Sequence, residues 1–180
     1  MRRIITASFV LFILAFTQTS CLYSGLDTLQ NSSDKAMNAI EYTYRFAYND
    51  TIKKGTPQEE IQLGRICEVI FSKNVENINE NGIPGFKTTI SHNINSIQKA
   101  GPAGSVTKEM LYEMFKDCIQ ADGISKLWVY VTISDAASIT ALDGAPRLGS
   151  PGDFSTDRKY KVTAADGSSQ IYQIKTVQGF

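Results

Sequence analysis

Histidine, serine, cysteine and paired carboxylates carry most hydrolytic chemistry at neutral pH, and this chain is sparing with them. Its one histidine, His92, lies in Ser91-His92-Asn93. An imidazole there can act as the base of an acyl transfer only if a serine or cysteine meets it in space. No Gly-x-Ser-x-Gly elbow presents such a serine. On the polar face of a helix, His92 reads as a surface residue. Glu59 and Glu60 are adjacent, but acids in the first turn of a helix are accounted for by its dipole. Asp117 and Asp122 read as surface and helix-end residues. Gly101-Pro102-Ala103-Gly104 breaks a helix and lacks the Gly-Lys-Ser/Thr ending of a phosphate-binding loop. There is no Cys-x-x-Cys, and His92 is remote in sequence from all three cysteines, so no metal motif is present. These residues predict no enzyme, no cofactor and no metal site.

The cysteines hold the remaining chemistry, and the first of them depends on what precedes it. Met1-Arg2-Arg3 is a positively charged start, Ile4 to Phe16 is an apolar run of 13 residues, and Thr17-Gln18-Thr19-Ser20 leads to Cys21. As a helix that run spans about 20 Å, short of the ~30 Å hydrocarbon core of a bilayer. It reads as an export signal and not as a membrane span. Thr-Ser-Cys after such a run resembles the lipobox of bacterial lipoproteins, in which the cysteine is acylated and becomes the mature N-terminus. Gln18 stands where the usual box has Leu, Val or Ile; the looser boxes of spirochaete lipoproteins allow this, and residues 1–21 look like one of their small members of unknown function. The resemblance implies a lipid on Cys21 and a place at the outer membrane or cell surface. Ordinary cleavage near Thr19 or Ser20, leaving a free thiol, is the competing reading. The sequons Asn31-Ser32-Ser33 and Asn49-Asp50-Thr51 do not argue for a eukaryotic secreted protein, because nine asparagines supply one or two by chance.

With Cys21 acylated, Cys67 and Cys118 are left as an even pair in a compartment that permits disulfides. They are candidates for a bridge or, alternatively, for two buried thiols. The chain has 180 residues, 42% apolar and 20% charged, enough for one domain with a real core. Removing Met1–Ser20 takes away Arg2 and Arg3 and leaves a net charge of −2. A domain this close to neutral, with its lysines dispersed, has no electrostatic footprint for nucleic acid. The organisation expected is a signal over 1–20, a lipidated start and tether over 21–31, and one globular domain over 32–180.

Within that domain the signals favour four helices followed by a small antiparallel sheet of three to four strands, an α+β fold. Ser32-Ser33-Asp34 starts the first helix and Lys53-Lys54-Gly55 ends it, with Met37, Ile40, Tyr44, Ala47 and Tyr48 on its core face. The same stretch alternates as a strand does from Glu41 to Tyr48; the end signals favour helix. Tyr42 and Phe46 then point away from the core face as a possible recognition patch, or contact a second element. Thr56-Pro57-Gln58-Glu59 is a full capping box for the second helix, whose stripe runs Ile61, Leu63, Ile66, Cys67, Ile70, Phe71 and Ile78, closed by Asn81-Gly82. A third carries Ile90, Ile94 and Ile97, and a fourth starts at Thr107 with Met110, Leu111, Met114, Phe115, Cys118 and Ile119. The period then switches to 2 over Leu127–Ile133, and Asp166-Gly167 joins a hairpin between Tyr160–Ala164 and Ile171–Val177. Between them, 134–159 is rich in Gly, Pro, Ser and Asp, with one short strand near Ile139–Leu142. A segment that long is either functional or disordered.

The functional expectation is a membrane-anchored envelope lipoprotein with a non-catalytic binding or structural role and an unidentified envelope or protein partner. The alternatives are a small secreted hydrolase using His92, and an inhibitor of an external hydrolase presenting 134–159. Serine, histidine and acid gathered in one pocket would favour the hydrolase, and a protruding ordered loop the inhibitor.

Overall fold

The structure, a computed structural model, describes residues 31–99 and 101–180. Among them, Ser33–Phe180 form one compact unit. The signal, Cys21 and the tether up to residue 30 lie outside the described residues.

The fold is mostly β, which corrects the expectation of four helices before a small sheet. Ten strands form two five-stranded sheets, and the described residues contain one α-helix. The strands are β1 (Met37–Ile52), β2 (Glu60–Ile70), β3 (Ser72–Glu80), β4 (Ile83–Ser91), β5 (Ile97–Lys99), β6 (Leu127–Ile133), β7 (Ser138–Leu142), β8 (Pro151–Gly152), β9 (Arg158–Thr163) and β10 (Ser169–Gln178), with helix α1 (Lys108–Asp122) between β5 and β6. The first sheet has the order β5-β2-β1-β6-β8 and is antiparallel throughout. The second has the order β3-β4-β10-β9-β7, in which β10 runs parallel to β4 and the other pairs are antiparallel.

Each missed helix has a local cause. In β1 the two-residue period wins: Ile40, Tyr42, Tyr44 and Tyr48 are buried, while Glu41, Arg45 and Ala47 are exposed. Lys53-Lys54-Gly55, which resembles a helix end, is the turn from β1 to β2, with φ +50° at Lys53 and +79° at Gly55. Thr56 and Glu59 do use capping-type bonds, but within that turn. The Thr56 hydroxyl donates to Lys53 O at 2.7 Å, and the Gly55 N–H donates to the Glu59 carboxylate at 2.7 Å. The helical stripe of the second segment comes from apolar residues on both strand faces, Cys67 and Phe71 buried and Ile61, Leu63, Ile66 and Ile70 exposed, together with a bulge. Tyr48 pairs with Arg65 but Asp50 with Gln62, so β2 holds one extra residue there, where Gly64 adopts φ +64° and donates to Asn49 Oδ1. That insertion turns the two-residue spacing of a strand into a three-residue step between Leu63 and Ile66. Asn81-Gly82 closes a two-residue hairpin in which Glu80 pairs with Ile83; both residues have positive φ. The third segment is the end of β4, a 3₁₀ turn at Ile94–Ser96 capped by Asn93, and β5.

The C-terminal half follows expectation. Thr107 caps α1 by accepting from the Met110 N–H, and Gly123 closes it. Leu111, Phe115 and Ile119 are buried, whereas Met110 and Met114 of the expected stripe face solvent. β6 and the hairpin β9–β10 stand where the alternation puts them. The 134–159 segment is pinned to the core: Phe154 is 1% exposed, its N–H donates to Ile124 O, and the Tyr160 hydroxyl donates to Pro146 O. The buried faces of both sheets and of α1 enclose one core that includes Ile40, Tyr42, Val69, Phe115, Tyr160 and Ile174.

Candidate functional site

Three elements meet around His92. It follows the last residue of β4, α1 passes over it with Tyr112, Phe115 and Lys116, and the segment after β10 returns with Phe180. The Phe115 ring lies 4.8 Å from the imidazole at 87°, and the Phe180 ring 4.6 Å away at 58°. Phe71 joins them, stacked on Phe180 at 5.9 Å and edge-on to Phe115 at 6.0 Å. His92 Nδ1 is 3.2 Å from the Tyr112 hydroxyl. Beside this cluster opens a pocket of about 460 Å³ lined by His92, Lys116, Ile119, Gln120, Gly123, Gln178 and Phe180. Its volume is that of a small-molecule site, and it combines apolar walls with a few polar groups.

Burial, and secondarily the Lys116 ammonium, push the His92 pKa below its ordinary value. The ring is therefore neutral at pH 7. Among the described residues that line the pocket there is no serine, cysteine or carboxylate, and these residues do not assemble a triad. His92 is half-buried among rings and not on a polar helix face as the sequence suggested. His92→Ala should accordingly cost about 1–2 kcal/mol, within the range for loss of packed side chains. Its depressed pKa also has a sign: the unfolded ring binds a proton more readily, so stability falls as pH drops below about 6.5. Paired thermal melts of the wild type and His92→Ala across pH 5–8 check both; identical melting temperatures would place His92 at the surface after all.

The other candidates are scattered. Tyr42 is fully buried against the second sheet, where its hydroxyl accepts from Thr176 at 3.2 Å, so it is a core residue and not part of a recognition patch. Strand periodicity puts it on the same face as Tyr44 and Tyr48. Phe46 is half-buried and lines a groove of about 520 Å³ with Arg45, Ala47, Ile66, Lys126, Trp128 and Pro151. Cys67 and Cys118 are both free thiols, on β2 and α1, so the expected bridge is absent. An even count of cysteines suggested it, and parity alone does not bring two thiols within bonding geometry. Burial pushes the Cys67 thiol up to about 11 and raises that of Cys118 too, so neither is a ready nucleophile at neutral pH.

Sequence reasoning missed a buried charge cluster. Asp50, whose side chain is 0% exposed, receives Arg65 Nη1 at 2.7 Å, Lys99 Nζ at 3.2 Å and the Val106 N–H at 2.9 Å. These groups come from β1, β2, β5 and the loop before α1, and nothing in their spacing announces the meeting. Among the described residues, no three His, Cys, Asp or Glu side chains gather where a metal ion could be held.

Comparison with known proteins places this architecture. No curated protein matches the chain. The crystal structure of a "putative secreted protein" from Bacteroides fragilis is similar, with a TM-score of 0.52 and 26% sequence identity over 82% of this chain and 97% of that one. A secreted bacterial neighbour accords with the export read from residues 1–20, and no helix among the described residues is long and apolar enough to cross a membrane. The comparisons lend nothing to the spirochaete likeness. The model of the DUF5018-related family matches residues 37–175, from the start of β1 into β10, and the chain belongs to that family.

Proposed function

We propose that this protein is a lipid-anchored domain of the bacterial cell envelope that binds without catalysing a reaction, and that the pocket beside His92 holds its ligand. The observation that carries the reading is the make-up of that pocket. A ring, a phenyl group and an aliphatic chain (His92, Phe180, Ile119) face two carboxamides and an ammonium (Gln120, Gln178, Lys116). That set suits a small molecule with a flat apolar body and a carboxylate. A hydrolase would need a nucleophile or an acid against the imidazole, and Tyr112 takes its Nδ1 instead. An inhibitor would present a projecting loop, whereas 134–159 folds back through Phe154 and Tyr160. Export is supported by residues 1–20 and by the secreted neighbour, and acylation of Cys21 by the Thr-Ser-Cys site. Several acyl chains at ~0.8 kcal/mol per buried CH₂ would hold such a domain at a bilayer.

The test has two arms. In detergent phase partitioning the wild type should enter the detergent phase and Cys21→Ala the aqueous phase; equal partitioning would remove the anchor. Phenylacetate and uncharged phenylacetamide, titrated with NMR detection, should both shift the His92 and Phe180 ring signals. Lys116→Met should weaken phenylacetate several-fold and leave phenylacetamide alone. Any ester, peptide or glycan turnover that disappears in His92→Ala would overturn the non-catalytic reading.

A further inference from the structure

The central strand of the first sheet is longer than its neighbour on one side. β6 pairs with β1 only from Met37 to Thr43. At the far end of β1, Ile52 bridges Gly104, and the Ser105 N–H donates to Thr51 O. Between these contacts no strand among the described residues pairs with that edge of β1. The gap spans Tyr44–Asp50, about 23 Å at ~3.3 Å per residue.

Alternation decides which backbone groups face it. The Phe71 N–H donates to Tyr42 O on the β2 side, so Tyr42, Tyr44, Phe46 and Tyr48 turn their N–H and C=O toward β2. Arg45, Ala47 and Asn49 turn theirs to the opposite edge, in phase with Thr51, whose carbonyl is taken by Ser105. Arg45, Ala47 and Asn49 are all exposed. The groove of about 520 Å³ opens at this stretch, lined by Phe46, Trp128, Ile66 and Pro151 among others, with the Arg45 guanidinium 4.4 Å over the Trp128 ring. The charged residues among those that line it, Arg45 and Lys126, are each already paired, with Glu68 at 2.7 Å and Asp122 at 2.8 Å, so the groove recognises by backbone and apolar contact.

We propose that this edge is a docking site for an extended peptide, which adds as a strand between β6 and the Gly104 bridge. The partner is a segment of about five or six residues with apolar side chains at alternate positions. Its backbone bonds to Arg45, Ala47 and Asn49, and its apolar groups pack on Trp128 and Ile66, which register opposite Thr43 and Ala47 on one face of the sheet. A second copy of the domain does not fit as well, because the edge is recessed between β6 and the 104–105 loop. Two recessed edges cannot reach each other, whereas a free segment can enter. This site is separate from the His92 pocket and does not depend on it.

Amide exchange on the full chain in mild detergent tests the proposal, with acetyl-Glu-Val-Thr-Val-Thr-Val-amide as probe. In the free protein the Arg45, Ala47 and Asn49 amides should exchange at least about tenfold faster than those of Tyr44, Phe46 and Tyr48, which face β2. Added peptide should slow the first three and leave the second three unchanged. The same peptide N-methylated at alternate residues should have no effect, and Trp128→Ala should weaken the authentic peptide. Equal action of the two peptides would overturn the strand geometry, as would protection elsewhere on the molecule. Protection already present without peptide would also overturn it. A second copy would be the occupant if that protection grows with protein concentration, and the chain's own N-terminal segment if it does not.

Discussion

Asp50→Ala should cost about 3–5 kcal/mol of stability, because it removes the common partner of a buried ion pair network. The carboxylate joins four segments: β1 carries it, β2 brings Arg65, β5 brings Lys99, and the 101–106 loop brings the Val106 N–H. Arg65 is fixed further by Tyr48, whose ring lies 5.5 Å below its guanidinium, and donates to Pro102 O at 3.0 Å. The loop also passes so close that a Cβ on Gly104 would fall on the Asp50 carboxylate. Alanine at 50 leaves a buried N–H without its acceptor and removes the carboxylate that Arg65 and Lys99 share. For a domain of this size the melting temperature should drop by roughly 10 °C or more. A loss below about 1 kcal/mol in denaturant titration would show that water replaces the carboxylate, as it does at exposed pairs.

The same residue sets how the protein responds to acid. Burial alone would raise the Asp50 pKa, but the Val106 N–H, Lys99 and Arg65 outweigh it and hold the carboxyl below its usual range. Asp122 is lowered in the same direction by Lys126 and by the Tyr44 hydroxyl. A carboxylate depressed in the folded state contributes stability that is complete above its unfolded pKa of about 4 and is lost as pH falls through the folded value. Wild-type stability should therefore decline steeply below pH 4. Asp50→Ala, weaker throughout, should decline less steeply over the same interval. Parallel declines would show that the carboxylate is not depressed.

Phe115→Ala is expected to be nearly as costly, about 3–5 kcal/mol. Phe115 is fully buried and is the hub of the aromatic cluster, meeting Tyr44 at 5.7 Å, Phe71 at 6.0 Å, His92 at 4.8 Å and Tyr112 at 6.3 Å. Its loss leaves a cavity between α1 and the first sheet and removes several edge-to-face contacts, each adding ~0.5–1.5 kcal/mol beyond burial. A second reading comes from His92. With the Phe115 wall gone the imidazole is better hydrated, so its pKa should rise toward the ordinary value near 6.5. Met110→Ala, on the exposed side of the same helix, should change stability by no more than ~0.5 kcal/mol and leave the His92 titration where it is. Similar losses for the two variants would mean that α1 is held by something other than its Phe115 face.

The sequence by itself determined the elements whose local signals admit one reading. Thr107 and Gly123 bracket α1, the strict alternation of Leu127–Ile133 yields β6, and Asp166-Gly167 turns β9 into β10. The export signal of residues 1–20 is likewise local, since charge and an apolar run are read in order along the chain. Tertiary structure decided the rest, for two physical reasons. Turn-forming residues stabilise helix ends and hairpins by the same hydrogen bonds, so Lys53-Lys54-Gly55, Thr56–Glu59 and Asn81-Gly82 mark a break in the chain without saying what lies on either side. A bulge such as that at Gly64 then gives a strand the spacing of a helix, and only pairing with β1 reveals it. Sites depend on such pairing still more. Asp50, Arg65 and Lys99 are 15 and 34 residues apart along the chain, and His92 and Phe180 are 88 apart. They become neighbours because β2 folds back on β1 and the end of β10 returns beside β4, contacts that no local propensity encodes.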